Sequence, residues 1–334
     1  MMETTGLFDL QVNGFAGVDF NDAAITPERL DVALEAMRQS GVTGALLTLI
    51  TGGEADLRTR LVALDAAVAG SRLGRLMVPG YHLEGPFLNA DEGYRGCHPP
   101  EAMRDPDVAL YDRLGAGLIR PILLVTLAPE RPGSLDAIRA LRARGICVAM
   151  GHSAASLRQV WDAADAGLTL STHLGNGSPR LLPRTDNAIV GQLSEPRLTA
   201  CLIADGLHQS PESLAALIRL KGIERSILVT DAVTAAGAAP GRYSFAGMEI
   251  VRDGQGVVRR PGQDNLAGSS LLLDAAVRNV VGWSLATPQQ AVAMASDHPR
   301  AALADAVAAH GITLPVGRVR WSDELRPLEI ELAG

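Results

Sequence analysis

The sequence predicts a (β/α)8 barrel, an α/β fold, from three observations. Eight short apolar runs follow one another, continuous rather than alternating, as in strands covered by helices. Helical patterns separate many of them and stop at glycine. Metal-ligand and acid/base residues follow directly on several runs, where a barrel presents its active site.

The runs are Leu7–Val12, Gly44–Leu49, Leu76–Leu83, Ile119–Leu127, Ile146–Met150, Leu168–Thr172, Thr199–Ala204 and Ser226–Thr230. The pattern Pro27–Ser40 has Thr26 as N-cap and proline at its first position, and ends at Gly41. Glu54–Ala69 ends at Gly70, Ser134–Arg144 at Gly145, Ala154–Ala166 at Gly167, and Pro211–Leu220 before Gly222. After the eighth run, Tyr243–Arg260 reads as a β-hairpin turning at Asp253-Gly254. A long helix, Ser269–Trp283, follows, then Pro288–Ser296, Pro299–His310 and a tail of one or two strands. No linker interrupts the chain. The expected division is one barrel over 7–310, carrying the hairpin at about 243–260 as an insertion, with short terminal segments 1–6 and 311–334.

The 334 residues suffice for one large barrel, with 47% apolar and 20% charged residues, an ordinary balance for an enzyme with a sizeable core. A net charge of −7 argues against a nucleic-acid partner, and no basic run suggests a membrane surface. The greasiest stretch, Leu114–Ala128, is broken by Arg120 and Pro121 and is too short to span a bilayer. Cys97, Cys147 and Cys201 are odd in number and far apart, which fits a reducing compartment. The N-terminus has no signal-peptide pattern. The expected location is the cytoplasm.

Glu84, His152 and His173 each follow an apolar run and together form an O,N,N set suited to a divalent metal with an open position for water. Asp231, after the last run, can exchange a proton with that water and with a leaving nitrogen. His208, beyond the seventh run, can polarise a carbonyl. A lone histidine after a strand is usually a structural hydrogen bonder; the ordered set is what argues for a site. His82 shares a strand face with Glu84, as ligand or as supporting partner. His298 and His310 fall in C-terminal helices and are expected at the surface.

These residues lie in motifs that resemble the N-acetylglucosamine-6-phosphate deacetylases of the amidohydrolase superfamily. The resemblance runs through DLQVNGFAGVDFND, HLEGPFL at 82–88, GHSAAS at 151–156, THLGN at 172–176, ADGLH at 204–208, LVTDA at 228–232 and LAGSSLLLDAAVRN at 266–279. It implies the amidohydrolase barrel and assigns roles. Glu84, His152 and His173 become the metal ligands, Asp231 the catalytic acid/base, and His208 the contact to the substrate carbonyl. His98, Asn176, Gly177, Leu266, Ala267 and Gly268 become substrate contacts. Arg184 becomes the arginine that reaches the phosphate of a neighbouring subunit, which implies a homodimer. Strand one reads Gln11-Val12-Asn13 instead of His-x-His, and the fourth run has no lysine; Lys221, the only lysine, falls on a helix. A lysine-bridged pair of metals is thereby excluded, and one divalent ion per subunit is expected, zinc first, with iron, cobalt and nickel compatible with the donors.

The chain also departs from the pattern. About six residues precede strand one where relatives have about fifty, so their small β-sandwich is expected to be missing or reduced to the hairpin and tail. The usual Asn-Ala-Met is Asn176-Gly177-Ser178, and the usual Lys before Gly-x-His is Arg95. The expected reaction is hydrolysis of the acetamide of N-acetylglucosamine 6-phosphate, in amino-sugar catabolism. A related hydrolase for another N-acyl amino sugar or an N-acyl amino acid is the alternative; a non-catalytic binding barrel is a third reading.

Overall fold

The computed structural model describes residues 2–332; Met1 and the last two residues of the 311–334 segment lie outside it. The described chain opens with β1 (Met2–Thr5) and enters a barrel at β2 (Leu7–Val12). A small ribbon, β3 (Gly14–Phe15) and β4 (Val18–Asp19), follows. The other barrel strands are β5 (Val42–Ile50), β6 (Gly80–Glu84), β7 (Ile122–Leu127), β8 (Cys147–Met150), β9 (Leu170–Ser171), β10 (Thr199–Leu202) and β11 (Ser226–Leu228). They form a parallel eight-stranded sheet in simple sequence order from β2 to β11. The expected (β/α)8 architecture is therefore present.

Closure between first and last strands is made beyond β11, where Val12 bridges Ala232. Asp231 N–H donates to Gln11 O at 2.9 Å and Asn13 N–H to Ala232 O at 2.7 Å. The barrel strands are buried along almost their whole length, as strands sandwiched between a packed interior and outer helices must be.

Several boundaries differ from the sequence reading, each for a visible reason. The run from Leu76 begins as a short helix, Gly74–Met77, and becomes strand only at Gly80. The run from Ile119 becomes strand only at Ile122, after Pro121, which has no N–H to give a ladder. The long helix begins at Leu273, because Ser269 instead donates its N–H to Asp231 O at 2.9 Å and bridges Ala232 at the barrel seam. The C-terminal stretch 299–310 is divided at Leu303 into two helices.

The hairpin is a three-stranded sheet of β12 (Gly241–Phe245), β13 (Met248–Arg252) and β14 (Val258–Arg259). Its tight turn is Ala246-Gly247, both at positive φ, inside the run read as one strand. Asp253-Gly254 instead begins the longer turn to β14.

At the opposite end, β15 (Arg318–Trp321) pairs with β1 and with β16 (Pro327–Glu331). Trp321 is fully buried and donates to Thr4 Oγ1 at 2.8 Å. Arg300 ties this end together, donating to Gly6 O at 2.8 Å and Pro315 O at 2.9 Å while its guanidinium lies 5.1 Å from the Phe8 ring centre. Among the described residues no helix is long and apolar enough to cross a membrane.

Candidate active site

Strand ends aim the functional side chains. Glu84 closes β6, His152 lies two residues beyond β8, His173 two beyond β9, and Asp231 three beyond β11. The chain turns abruptly at three of these, with φ of +50° at His152, +30° at His173 and +48° at Asp231. Non-glycine residues adopt such angles at a cost of about 1–3 kcal/mol each, and they persist where surrounding contacts dictate them.

Glu84 is the hub. Its Oε1 lies 3.0 Å from His173 Nε2 and 3.4 Å from His152 Nε2; its Oε2 lies 3.9 Å from His98 Nε2 and accepts from Gln11 Nε2 at 3.1 Å. Ligand atoms of Glu84, His98 and His152 all fall within 4.8 Å of one another. The Gln11 amide also reaches Asp231 Oδ1 at 3.0 Å, and Asn13 Nδ2 donates to the same oxygen at 2.8 Å. Gln11 thus links the hub to the Asp231 carboxyl, with two neutral amides standing at the strand-one positions.

The donor set fits a divalent ion. His152 Nδ1 is 2.6 Å from Tyr94 O, an acceptor only, so Nδ1 carries the proton and the Nε2 lone pair is free for a cation. His98 Nδ1 pairs with Thr51 Oγ1 at 2.9 Å, leaving its Nε2 toward Glu84. His173 Nδ1 is buried with no hydrogen-bond partner among the described residues. His98, expected as a substrate contact, thus stands within the donor cluster, though farther from Glu84 than His152 and His173. His82 pairs instead with Thr48 Oγ1 at 3.2 Å and Thr126 Oγ1 at 2.8 Å, and burial pulls it down to about 4, so it is a neutral supporting residue beneath the hub.

Electrostatics separate the two carboxyls. Burial opposes the charged form of Glu84, but the His152 and His173 imidazoles packed against it outweigh that and hold the group well below the usual carboxylate range. Burial and the neighbouring Glu84 charge push Asp231 up to about 6. A carboxyl raised in this way is suited to take up and return a proton.

The cluster lies in a cavity of about 1090 Å³ at the C-terminal ends of the strands. Asn176, Gly177, His208, Leu266 and Gly268 line it with the hub. Ala267 is buried and packs with Ile50 and Phe245, which line the cavity, and its N–H donates to Val258 O at 3.0 Å, which ties the loop to β14. Arg184 is exposed on the 178–187 loop and does not line its own chain's cavity. His298 and His310 lie away from it but are half-buried rather than at the surface as expected, and His298 Nδ1 pairs with Ser226 O at 2.9 Å.

Sequence reasoning places Asp205 after the seventh run but gives no role to the residues that hold these groups. Asp205 Oδ2 lies 2.6 Å from His208 Nδ1, and its Oδ1 accepts the His208 N–H at 2.8 Å. Glu130 accepts from Asn89 Nδ2 at 2.9 Å, Ser153 Oγ at 2.6 Å and Ala154 N–H at 2.7 Å, clamping the loop that carries His152. Asp205, three residues before His208 in the ADGLH motif, had a detectable signal; Glu130 had none.

No family model matches the chain. Among curated proteins it is 39% identical to the N-acetylgalactosamine-6-phosphate deacetylase of Escherichia coli O157:H7, over 87% of this chain and 75% of that one. It is 37% identical to the N-acetylglucosamine-6-phosphate deacetylase of Homo sapiens, over 88% and 72% respectively. Among solved structures it matches a variant of the Mycobacterium smegmatis N-acetyl-D-glucosamine-6-phosphate deacetylase in complex with N-acetyl-D-glucosamine-6-phosphate. That match has a TM-score of 0.87 at 29% identity, covering 99% of this chain and 86% of the other.

Proposed function

The chain belongs to the family of N-acetylglucosamine- and N-acetylgalactosamine-6-phosphate deacetylases, hydrolases of amide bonds, and we propose that it releases acetate from N-acetylglucosamine 6-phosphate. The observation that carries this reading is the convergence of Glu84, three imidazoles and the raised Asp231 carboxyl in one cavity. Glu84, His152 and His173 would hold one divalent ion, zinc first, with His98 close enough to share in the grip. Such an ion supplies Lewis acidity, polarising the acetamide carbonyl and lowering the pKa of water.

The chain's own groups do the rest. Asp231 takes a proton from the attacking water and returns it to the departing amine nitrogen. Gln11 and Asn13 donate to its Oδ1, which leaves Oδ2 for the proton. Asp205 fixes the His208 ring through Nδ1, which leaves Nε2 to face the acetamide oxygen as charge develops there. Asn176 and Gly177 hold the sugar phosphate, and Leu266, Ala267 and Gly268 form the loop beside the sugar. Arg184, exposed outside its own cavity, serves the phosphate of the neighbouring subunit in a homodimer, through a bidentate grip. Three free cysteines fit a cytoplasmic location.

The E. coli relative's substrate name favours a second reading, the galacto epimer. One experiment addresses both. Acetate release by metal-quantified protein is measured on N-acetylglucosamine 6-phosphate, N-acetylgalactosamine 6-phosphate and unphosphorylated N-acetylglucosamine. Turnover restricted to phosphorylated sugars, at about one ion per chain, is the expected result. Faster turnover of the galacto sugar would reassign the substrate, and equal turnover of the unphosphorylated sugar would remove the phosphate subsite.

A further inference from the structure

Asp9 is a buried carboxyl with no part in the chemistry above. It lies on β2, two residues before Gln11 and four before Asn13. It is 1% exposed, and among the described residues no cation pairs with it. Its hydrogen-bond partners among the described residues lie at the seam. Its Oδ2 accepts from Thr230 Oγ1 at 2.5 Å, and its Oδ1 accepts from Thr230 N–H and from Gln11 N–H, each at 3.2 Å.

The Thr230 hydroxyl in turn accepts from Ala232 N–H at 3.1 Å. Asp231 is thus bracketed: the residue before it is fixed to Asp9, and the residue after it is fixed to the same hydroxyl. Ser269 braces the segment from the other side, its Oγ donating to Thr230 O at 2.5 Å. The bracket bears directly on a residue held at a positive φ, which relaxes unless neighbours over-determine it.

We infer that Asp9 is a positioning residue for the acid/base: through the Thr230 hydroxyl it fixes the strained backbone that aims the Asp231 carboxyl. The inference rests on the proposed deacetylation, because that is the reaction in which Asp231 must be aimed. It goes further by placing part of the catalytic apparatus beneath the cavity, where no substrate reaches. A purely architectural Asp9 would close the barrel seam without affecting turnover.

The test uses the metal-loaded enzyme and the variants Asp9→Asn, Thr230→Val, Thr230→Ser and the Asp9→Asn/Thr230→Val double. Kinetic constants, metal content and thermal midpoint are measured for each. Misaiming should lower kcat about 10–100-fold in Asp9→Asn and Thr230→Val with KM little changed and metal retained. Thr230→Ser, which keeps the hydroxyl, should recover most of kcat. The double variant should lose no more than the worse single one, because both remove one link. Additive losses, unchanged kcat with only a lower thermal midpoint, or no recovery in Thr230→Ser would overturn the role. Should Asp9→Asn not fold, the Thr230 pair decides the question. A wild-type enzyme inert on every acetamido sugar phosphate would refute the proposed function and this role with it; an active wild type with undiminished variants would refute this role alone.

Discussion

A methyl group at position 177 would stand 2.6 Å from His152 Nδ1, and the backbone there has φ +60°. Glycine is therefore what lets the 176–178 loop close over the imidazole. Gly177→Ala should displace His152 and weaken divalent-ion binding about 10–100-fold, read by competition with a chromophoric chelator. Asp231→Asn is the complementary case. It keeps an acceptor for Gln11 and Asn13 but cannot carry the proton, so kcat should fall about 10²–10⁴-fold with metal content unchanged. Near-normal turnover in that variant would remove Asp231 from its role. Acidic pH acts on Asp9. Burial raises its carboxyl from the ordinary 3.8 to about 7, so between those values the folded chain keeps a proton that the unfolded chain has released. Stability from this group is present below 3.8 and lost as pH rises through about 7. With metal chelated, Asp9→Asn should therefore lose less stability than the parent between pH 4.5 and 7.5, measured by denaturant midpoint, within the window set by that shift.

At the scale of elements, Lys221 shows how one side chain can finish a neighbouring helix. The chain's only lysine is buried at the end of helix Pro211–Lys221, and its Nζ donates to Gln192 O at 2.8 Å and Glu195 O at 2.6 Å. Those carbonyls end the helix Ala188–Ser194, so a cation there also suits that helix's dipole. Lys221→Met should destabilise the fold by about 1–3 kcal/mol in urea unfolding, since two buried acceptors lose their donor. The same element-level view explains what could be read from sequence. Barrel strands were legible because they are buried on both faces and hence apolar throughout. The positions of Glu84, His152, His173 and Asp231 were legible because chemistry follows directly on those runs. Short helices such as Val108–Gly115 and Ala188–Ser194 escaped because, at eight and seven residues, they are too short to show a long apolar stripe. The hairpin turn escaped because Ala246-Gly247 has no strong turn signature; it takes its positive φ from tertiary context, including the Ala246 N–H bond to Asp19 at 2.6 Å. Glu130 carries no local signal, since its partners come from distant segments, and Asp9 is tied to the seam chiefly through the distant Thr230.

Across the whole molecule, the parallel ladder runs unbroken from β2 round to β11, and the last step back to β2 is made by a few bonds around Gln11, Asn13, Asp231 and Ala232. The groups that close the barrel are thus largely the groups that present the acid/base. This gives the seam a dynamic character of its own. It is the place where the cylinder can part without any other strand pair separating, and the energy of such an opening lies below that of global unfolding. Amides at Asn13 and Asp231 should exchange with deuterium faster than those of the β5–β6 ladder, and turnover should fail in mild denaturant before far-ultraviolet dichroism changes. A ligand bridging Glu84 and Asp231 would act as a clasp across that gap, slowing exchange at both amides and bringing the two denaturant transitions together.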